Sequence, residues 1–280
     1  MAIRLALKLS SLFAHNACYI TAWRINNGHS GAFSKERIIE MKKLYEKKPI
    51  LFAVLWILIY CLVSIPIRGE LGDESIFMLI GLALIAAGIT AFVKINHLEA
   101  EYGLTGWAKD TKKYWYFIPM FILATGNLWR GFALAYSGMA QVFAVLSMLL
   151  IGYIEEMMFR GFLFKALLPK DGVRLSVIIS AVTFGIGHIV NLLAGQANVE
   201  TVIQVFFAIA WGFIMTMAFY RSGSLLPCIA VHGVVNSLSK FADDSGSSTM
   251  EWVYMGATIV TAIIYCTYLS RVKTVFGEEV

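Results

Sequence analysis

Glu155-Glu156-Met157-Met158-Phe159-Arg160-Gly161 sets two adjacent carboxylates and a guanidinium inside an apolar run from about Met139 to Leu168. A transmembrane helix needs about 20 mostly apolar residues, and this run supplies them. Ionisable side chains at such depth are costly and usually face a protein interior or a wet cavity. On a helix, Glu156 and Arg160 lie one turn apart and can pair. Glu155 is rotated from them by about a hundred degrees. One carboxylate is then neutralised while its neighbour faces something else.

The whole chain suits a membrane setting. Its 280 residues are 59% hydrophobic and only 15% charged, with a mean hydropathy of +0.71. Ordinary soluble domains carry about 25% charged residues. The fold class expected is therefore all-α: a polytopic transmembrane helix bundle of about eight helices, in the cell membrane. The candidate spans are roughly 50–67, 76–95, 114–136, 139–167, 174–195, 200–220, 224–241 and 250–270. The seventh is short and interrupted by Pro227 and Gly233, which a segment lined by protein tolerates.

Loop charges orient these spans. Lysine and arginine favour cytoplasmic loops. Arg37, Lys42, Lys43, Lys47 and Lys48 precede the first span and put the N-terminus in the cytoplasm. Alternation then gives the cytoplasm the loops with Lys109, Lys112 and Lys113, with Lys165, Lys170 and Arg174, and with Arg221, then the tail with Arg271 and Lys273. The other face receives Arg68 among Glu70, Asp73 and Glu74, then Ser137-Gly138, the region around Gln196, and Asp243-Asp244. Both termini are expected inside. The net charge of +5 thus reports membrane orientation, and nucleic acid is not an expected partner.

Residues 1–48 read as a cytoplasmic N-terminal tail, with 26–34 as a linker. Leu5 to Ala14 is too short and broken for a signal peptide. Met41 opens a sequence that looks like a natural start, so residues 1–40 are expected to be dispensable. Residues 49–280 form one membrane-embedded domain. The cysteines (Cys18, Cys61, Cys228, Cys266) are scattered without a CxxC pair and define neither a disulfide framework nor a metal site.

Downstream of the two glutamates, Phe184-Gly185-Ile186-Gly187-His188 and His232-Gly233-Val234-Val235-Asn236 bring polar groups to similar depth. Each has a bland reading: a structural ion pair, a packing histidine, a hydrogen bond between helices. Their co-occurrence is the signal. Together they support hydrolysis. Glu155 with His188 can deprotonate a water and later protonate a leaving amine, while His232 and Asn236 can donate to a developing oxyanion. Alternatively, Glu155, His188 and His232 can hold a divalent metal such as zinc. The residues do not choose between these. An HExxH pattern is absent, and the aspartates (Asp73, Asp110, Asp171, Asp243, Asp244) all fall in expected loops, which argues against a paired-aspartate protease.

Glu-Glu-x-x-x-Arg (155–160), Phe-x-x-x-His (184–188) and His-x-x-x-Asn (232–236), in this order on successive helices, resemble the CAAX protease and bacteriocin-processing family of intramembrane proteases, type II CAAX prenyl endopeptidase-like. The resembling core is about 115–240. The resemblance implies an intramembrane endopeptidase acting near the cytoplasmic face on membrane-associated peptides, either prenylated CAAX-type or bacteriocin-related. Glu155 and His188 would activate water, Glu156 and Arg160 would support them, and His232 and Asn236 would form the oxyanion side or help bind a metal. The partners implied are the lipid bilayer and a peptide or lipidated-protein substrate. A catalytically silent scaffold or bacteriocin self-immunity protein is the alternative, and a small transporter using Glu155 and the histidines is a third reading.

Overall fold

The computed structural model describes residues 30–195, 198–243 and 248–274. Residues 1–29 lie outside it, and with them most of the tail expected to be dispensable. The helices are α1 (Ser30–Lys47), α2 (Pro49–Leu71), α3 (Ile76–Ile95), α4 (Ile118–Ala124), α5 (Gly138–Glu156), α6 (Lys165–Gly187), α7 (Asn198–Ser222), α8 (Leu226–Leu238) and α9 (Ser248–Ser270). A π-helical stretch, Met157–Phe164, joins α5 to α6. The described residues contain no sheet, only an isolated bridge between Phe132 and Ala242.

Five stretches are helical, long and apolar enough to cross a membrane: Pro49–Leu71, Ile76–Ile95, Met139–Leu193, Thr201–Ser222 and Thr249–Ser270. The third holds two of the expected spans. They part at Gly172, whose φ of 70° and ψ of 171° are not helical. Beyond that bend α6 packs back on the π stretch, where Ser180 Oγ donates to the Phe159 carbonyl at 3.0 Å. The exterior is apolar in the manner of a lipid-facing surface. On α2, Leu51, Leu55, Leu58 and Leu62 point outward while Phe52, Trp56 and Ser64 are buried.

The expected span over 114–136 is not one helix. Trp115, Tyr116 and Phe117 have φ of 49°, 54° and 59°, a left-handed turn that costs about 1–2 kcal/mol per residue. Tertiary contacts hold it: Trp115 stacks on Tyr268 with centroids 4.2 Å apart, and Tyr265 Oη donates to the Tyr114 carbonyl. After it come the seven-residue α4, a 3-10 turn over Gly126–Arg130, and an extended segment. That segment pairs with the 3-10 turn after α8 through Ala133 N to the Phe241 carbonyl and Ala135 N to the Lys240 carbonyl. Gly126 cannot carry a side chain, because a Cβ there would lie 2.0 Å from the Tyr254 ring. The expected seventh span is likewise only the 13 residues of α8, with a 3-10 turn after it.

Part of the N-terminal tail is ordered as α1, and Tyr45 at its end joins the bundle. Its ring packs edge-on to Phe52 and Phe92, and Tyr102 Oη donates to Tyr45 Oη at 2.9 Å.

Connectivity gives the bundle two ends. One end, the mouth, holds the α2–α3 turn, the 131–137 segment, the turn after α6 and the end of α8. The other, the base, holds the start of α2, residues 96–117, the Gly172 bend and the α7–α8 turn. There Leu225 N donates to the Gly103 carbonyl.

Candidate active site

Close helix crossings bring the polar groups together. A Cβ on Gly152 would lie 2.6 Å from the Gly233 backbone nitrogen, so α5 and α8 touch at backbone distance. Small residues permit such contact between membrane helices. That crossing sets His232 beside the two glutamates that follow Gly152. Similarly, Gly212 on α7 lies against Ala181 on α6, which fixes the helix carrying Phe184.

Glu156 and Arg160 are fully buried and paired, with Arg160 Nη1 donating to Glu156 Oε1 at 2.8 Å. His232 Nδ1 lies 2.7 Å from the same oxygen. Its other nitrogen, Nε2, lies 3.4 Å from Glu155 Oε2. His232 therefore bridges the carboxylates. The Phe184 ring lies at the centre of the group: the Arg160 guanidinium is 4.3 Å from its centroid, and the rings of His188 and His232 stand edge-on to it at 5.1 and 5.6 Å.

Glu155 faces a cavity of about 710 Å³, as do His188 and Asn236. Tyr60 Oη on α2 donates to Glu155 Oε1 at 2.9 Å. His188 does not lie inside one continuous helix over the expected span 174–195. It follows the last residue of α6 and opens a 3-10 turn, His188–Ala194. Its Nδ1 lies 3.1 Å from the Phe184 carbonyl. A carbonyl only accepts, so Nδ1 carries the hydrogen there, and in the neutral ring Nε2 is the basic nitrogen.

The sequence reading missed the contribution of α2. Tyr60, Ser64 and Arg68 all line the cavity, although Arg68 was expected in a loop. Its Nε donates to Asp73 Oδ1 at 2.7 Å and its Nη1 to Asn191 Oδ1 at 3.0 Å. Lys240 donates to Asp73 Oδ2 at 2.9 Å. Burial raises the Asp73 carboxyl, but Arg68 and Lys240 outweigh it and hold the group below its ordinary range. Arg130 pairs with Glu251. The signal for α2 was present: Tyr60, Ser64 and Arg68 are polar at four-residue spacing on an otherwise apolar helix.

A metal ion needs three or more donors around one point. Among the described residues, no three His, Cys, Asp or Glu side chains are grouped in that way. His232 Nδ1 is taken by Glu156, His188 Nδ1 by a carbonyl and Glu155 Oε1 by Tyr60, so among Glu155, His188 and His232 a metal would be held through the two Nε2 atoms and Glu155 Oε2.

Residues 137–238 match the family model "Type II CAAX prenyl endopeptidase Rce1-like". The matched segment runs from just before α5 to the end of α8 and contains Glu155, Glu156, Arg160, His188, His232 and Asn236. No curated protein and no solved structure matches the chain.

Proposed function

We propose that the protein is a membrane-embedded endopeptidase that cleaves a peptide bond with a water activated by Glu155 and His188. The observation that carries this reading is the unequal treatment of the two glutamates. Glu156 is locked by Arg160 and His232, whereas Glu155 stands on the wall of a cavity large enough for an extended peptide. The Rce1-like match over the same residues supports peptidase chemistry of the CAAX type.

The geometry supports a division of labour. A water in the cavity gives a proton to the Glu155 carboxylate, helped by the basic Nε2 of His188, as its oxygen bonds to the scissile carbonyl carbon. The carbonyl oxygen becomes an oxyanion, and the Asn236 amide on the cavity wall donates to it. The tetrahedral intermediate then expels the amine, which takes the proton back from Glu155. His232, occupied between the carboxylates, positions Glu155 with Tyr60. Arg160 and His232 hold Glu156 in place.

The test is cleavage by purified protein in liposomes, with a farnesylated CAAX peptide and an unprenylated control. Glu155→Gln keeps the shape and removes the base, so cleavage should fall by about 10²–10⁴-fold. Thermal unfolding should be unchanged. Retention of full activity by the variant would overturn the assignment. Cleavage of the prenylated peptide alone would define a CAAX-type substrate, and cleavage of both would remove the prenyl requirement.

A further inference from the structure

A second, smaller space adjoins the main cavity. It measures about 70 Å³ and lies between the end of α6, α7 and α8. His188 and Asn236 line both spaces, whereas Glu155 lines the main cavity. The side pocket is therefore continuous with the main cavity at the groups that the peptidase reading places around the scissile bond.

Its inner wall is one stripe of α7. Ala208, Trp211 and Met215 recur at three- and four-residue spacing, which sets them on one face of the helix. All three are buried, so the pocket ends blind against packed side chains. Phe207 and Val235 complete an interior that is mainly apolar. A single water needs about 10–15 Å³. The space exceeds a one-water crevice, yet it is too small for a length of backbone or a lipid chain.

Close contacts hold these walls in place. A Cβ on Gly185 would lie 2.9 Å from the Ile209 backbone nitrogen, so α6 and α7 meet at backbone distance just before His188. Cys228 Sγ donates to the Met215 carbonyl at 3.4 Å, which ties the start of α8 to α7. Walls packed in this way do not widen freely, and an occupant is sorted by size.

We propose that the side pocket is a specificity subsite. It takes one apolar side chain, up to about the size of leucine, from an unmodified residue beside the scissile bond. Ala208 and Met215 set the size limit. A side chain seated past His188 and Asn236 pins the neighbouring carbonyl in the main cavity, so binding there is used for positioning. The subsite rests on the peptidase reading above and adds which neighbouring residues the site accepts.

The experiment uses the full chain in liposomes and farnesylated CAAX peptides with alanine, valine, leucine or phenylalanine directly after the cysteine. The wild type should cleave the first three and discriminate against phenylalanine. Ala208→Leu fills the pocket and should lower the leucine-to-alanine ratio of kcat/KM by about 10–200-fold. Ala208→Val should shift the same ratio in the same direction by less. Met215→Ala deepens the pocket and should raise the phenylalanine-to-alanine ratio. Such ratios cancel any loss of folded protein, because both peptides meet the same preparation. Ratios equal to those of the wild type in all three variants would overturn the subsite and leave the peptidase reading standing. If the wild type cleaves none of the peptides, the reading and the subsite fall together.

Discussion

At the scale of single residues, the site is built on asymmetry between neighbours. Glu155 and Glu156 are chemically identical and adjacent, but the helical rotation between them gives one to Arg160 and the other to the cavity. This division was legible in the sequence, because Glu-Glu-x-x-x-Arg fixes it by spacing alone. Tyr60 was not, since its role depends on which helix packs beside α5. A charge-assisted hydrogen bond contributes about 1.5–3 kcal/mol. If Tyr60 orients Glu155 for the chemical step, Tyr60→Phe should lower kcat by about tenfold or more and leave KM nearly unchanged. Steady-state kinetics on the variant checks this, and a rise in KM at constant kcat would count against a positioning role.

At the scale of elements, the site depends on how closely helices cross. Membrane helices gain little from hydrophobic burial against lipid, so packing between small residues carries much of their association. Gly152 against Gly233 is the crossing that brings His232 to Glu155 and Glu156. Gly152→Ala places a methyl group where backbone already stands, and overpacking of this kind costs about 1–3 kcal/mol. Activity should be lost through displacement of α8, with a lowered midpoint of thermal unfolding in detergent. Gly106→Ala, at a position where a Cβ meets nothing within 4 Å, is the neutral control.

The elements also show where sequence reading reaches its limit. The five long apolar stretches were evident from hydropathy. The broken region over 114–136 was not, although Pro119, Gly126 and Gly131 mark its interruptions. Its left-handed turn is held by Tyr265 and Tyr268, residues about 150 positions away, and no local pattern encodes such a contact. The tail shows the same effect on a smaller scale. Tyr45 is tied to Tyr102 and Phe92, so the structural boundary falls within α1 and before Tyr45. Removal of residues 1–40 should leave cleavage activity intact, whereas removal of 1–48 should lower stability. Parallel truncations compared by activity and unfolding temperature test this.

For the whole molecule, the mouth network ties three stretches distant in sequence. Asp73 receives Arg68 from α2 and Lys240 from beyond α8, and Arg68 also reaches Asn191 after α6. Because the folded state holds the Asp73 carboxyl below its ordinary value of 3.8, its ionised form stabilises the fold. That contribution is complete above the unfolded value, about 3.9, and is lost as pH falls through the lower folded value. The unfolding temperature should therefore drop below about pH 4 in the wild type. Asp73→Asn should start lower at neutral pH and show less of this acid-dependent drop. A pH series of unfolding curves on both proteins gives the comparison.

The rings of Phe52, Trp56, Phe92, Tyr102 and Phe162, packed together at the π stretch, have a consequence for hydration. Close-packed aromatic rings leave no room for solvent, so water does not reach Glu155 through that floor and comes instead through the cavity the carboxylate faces.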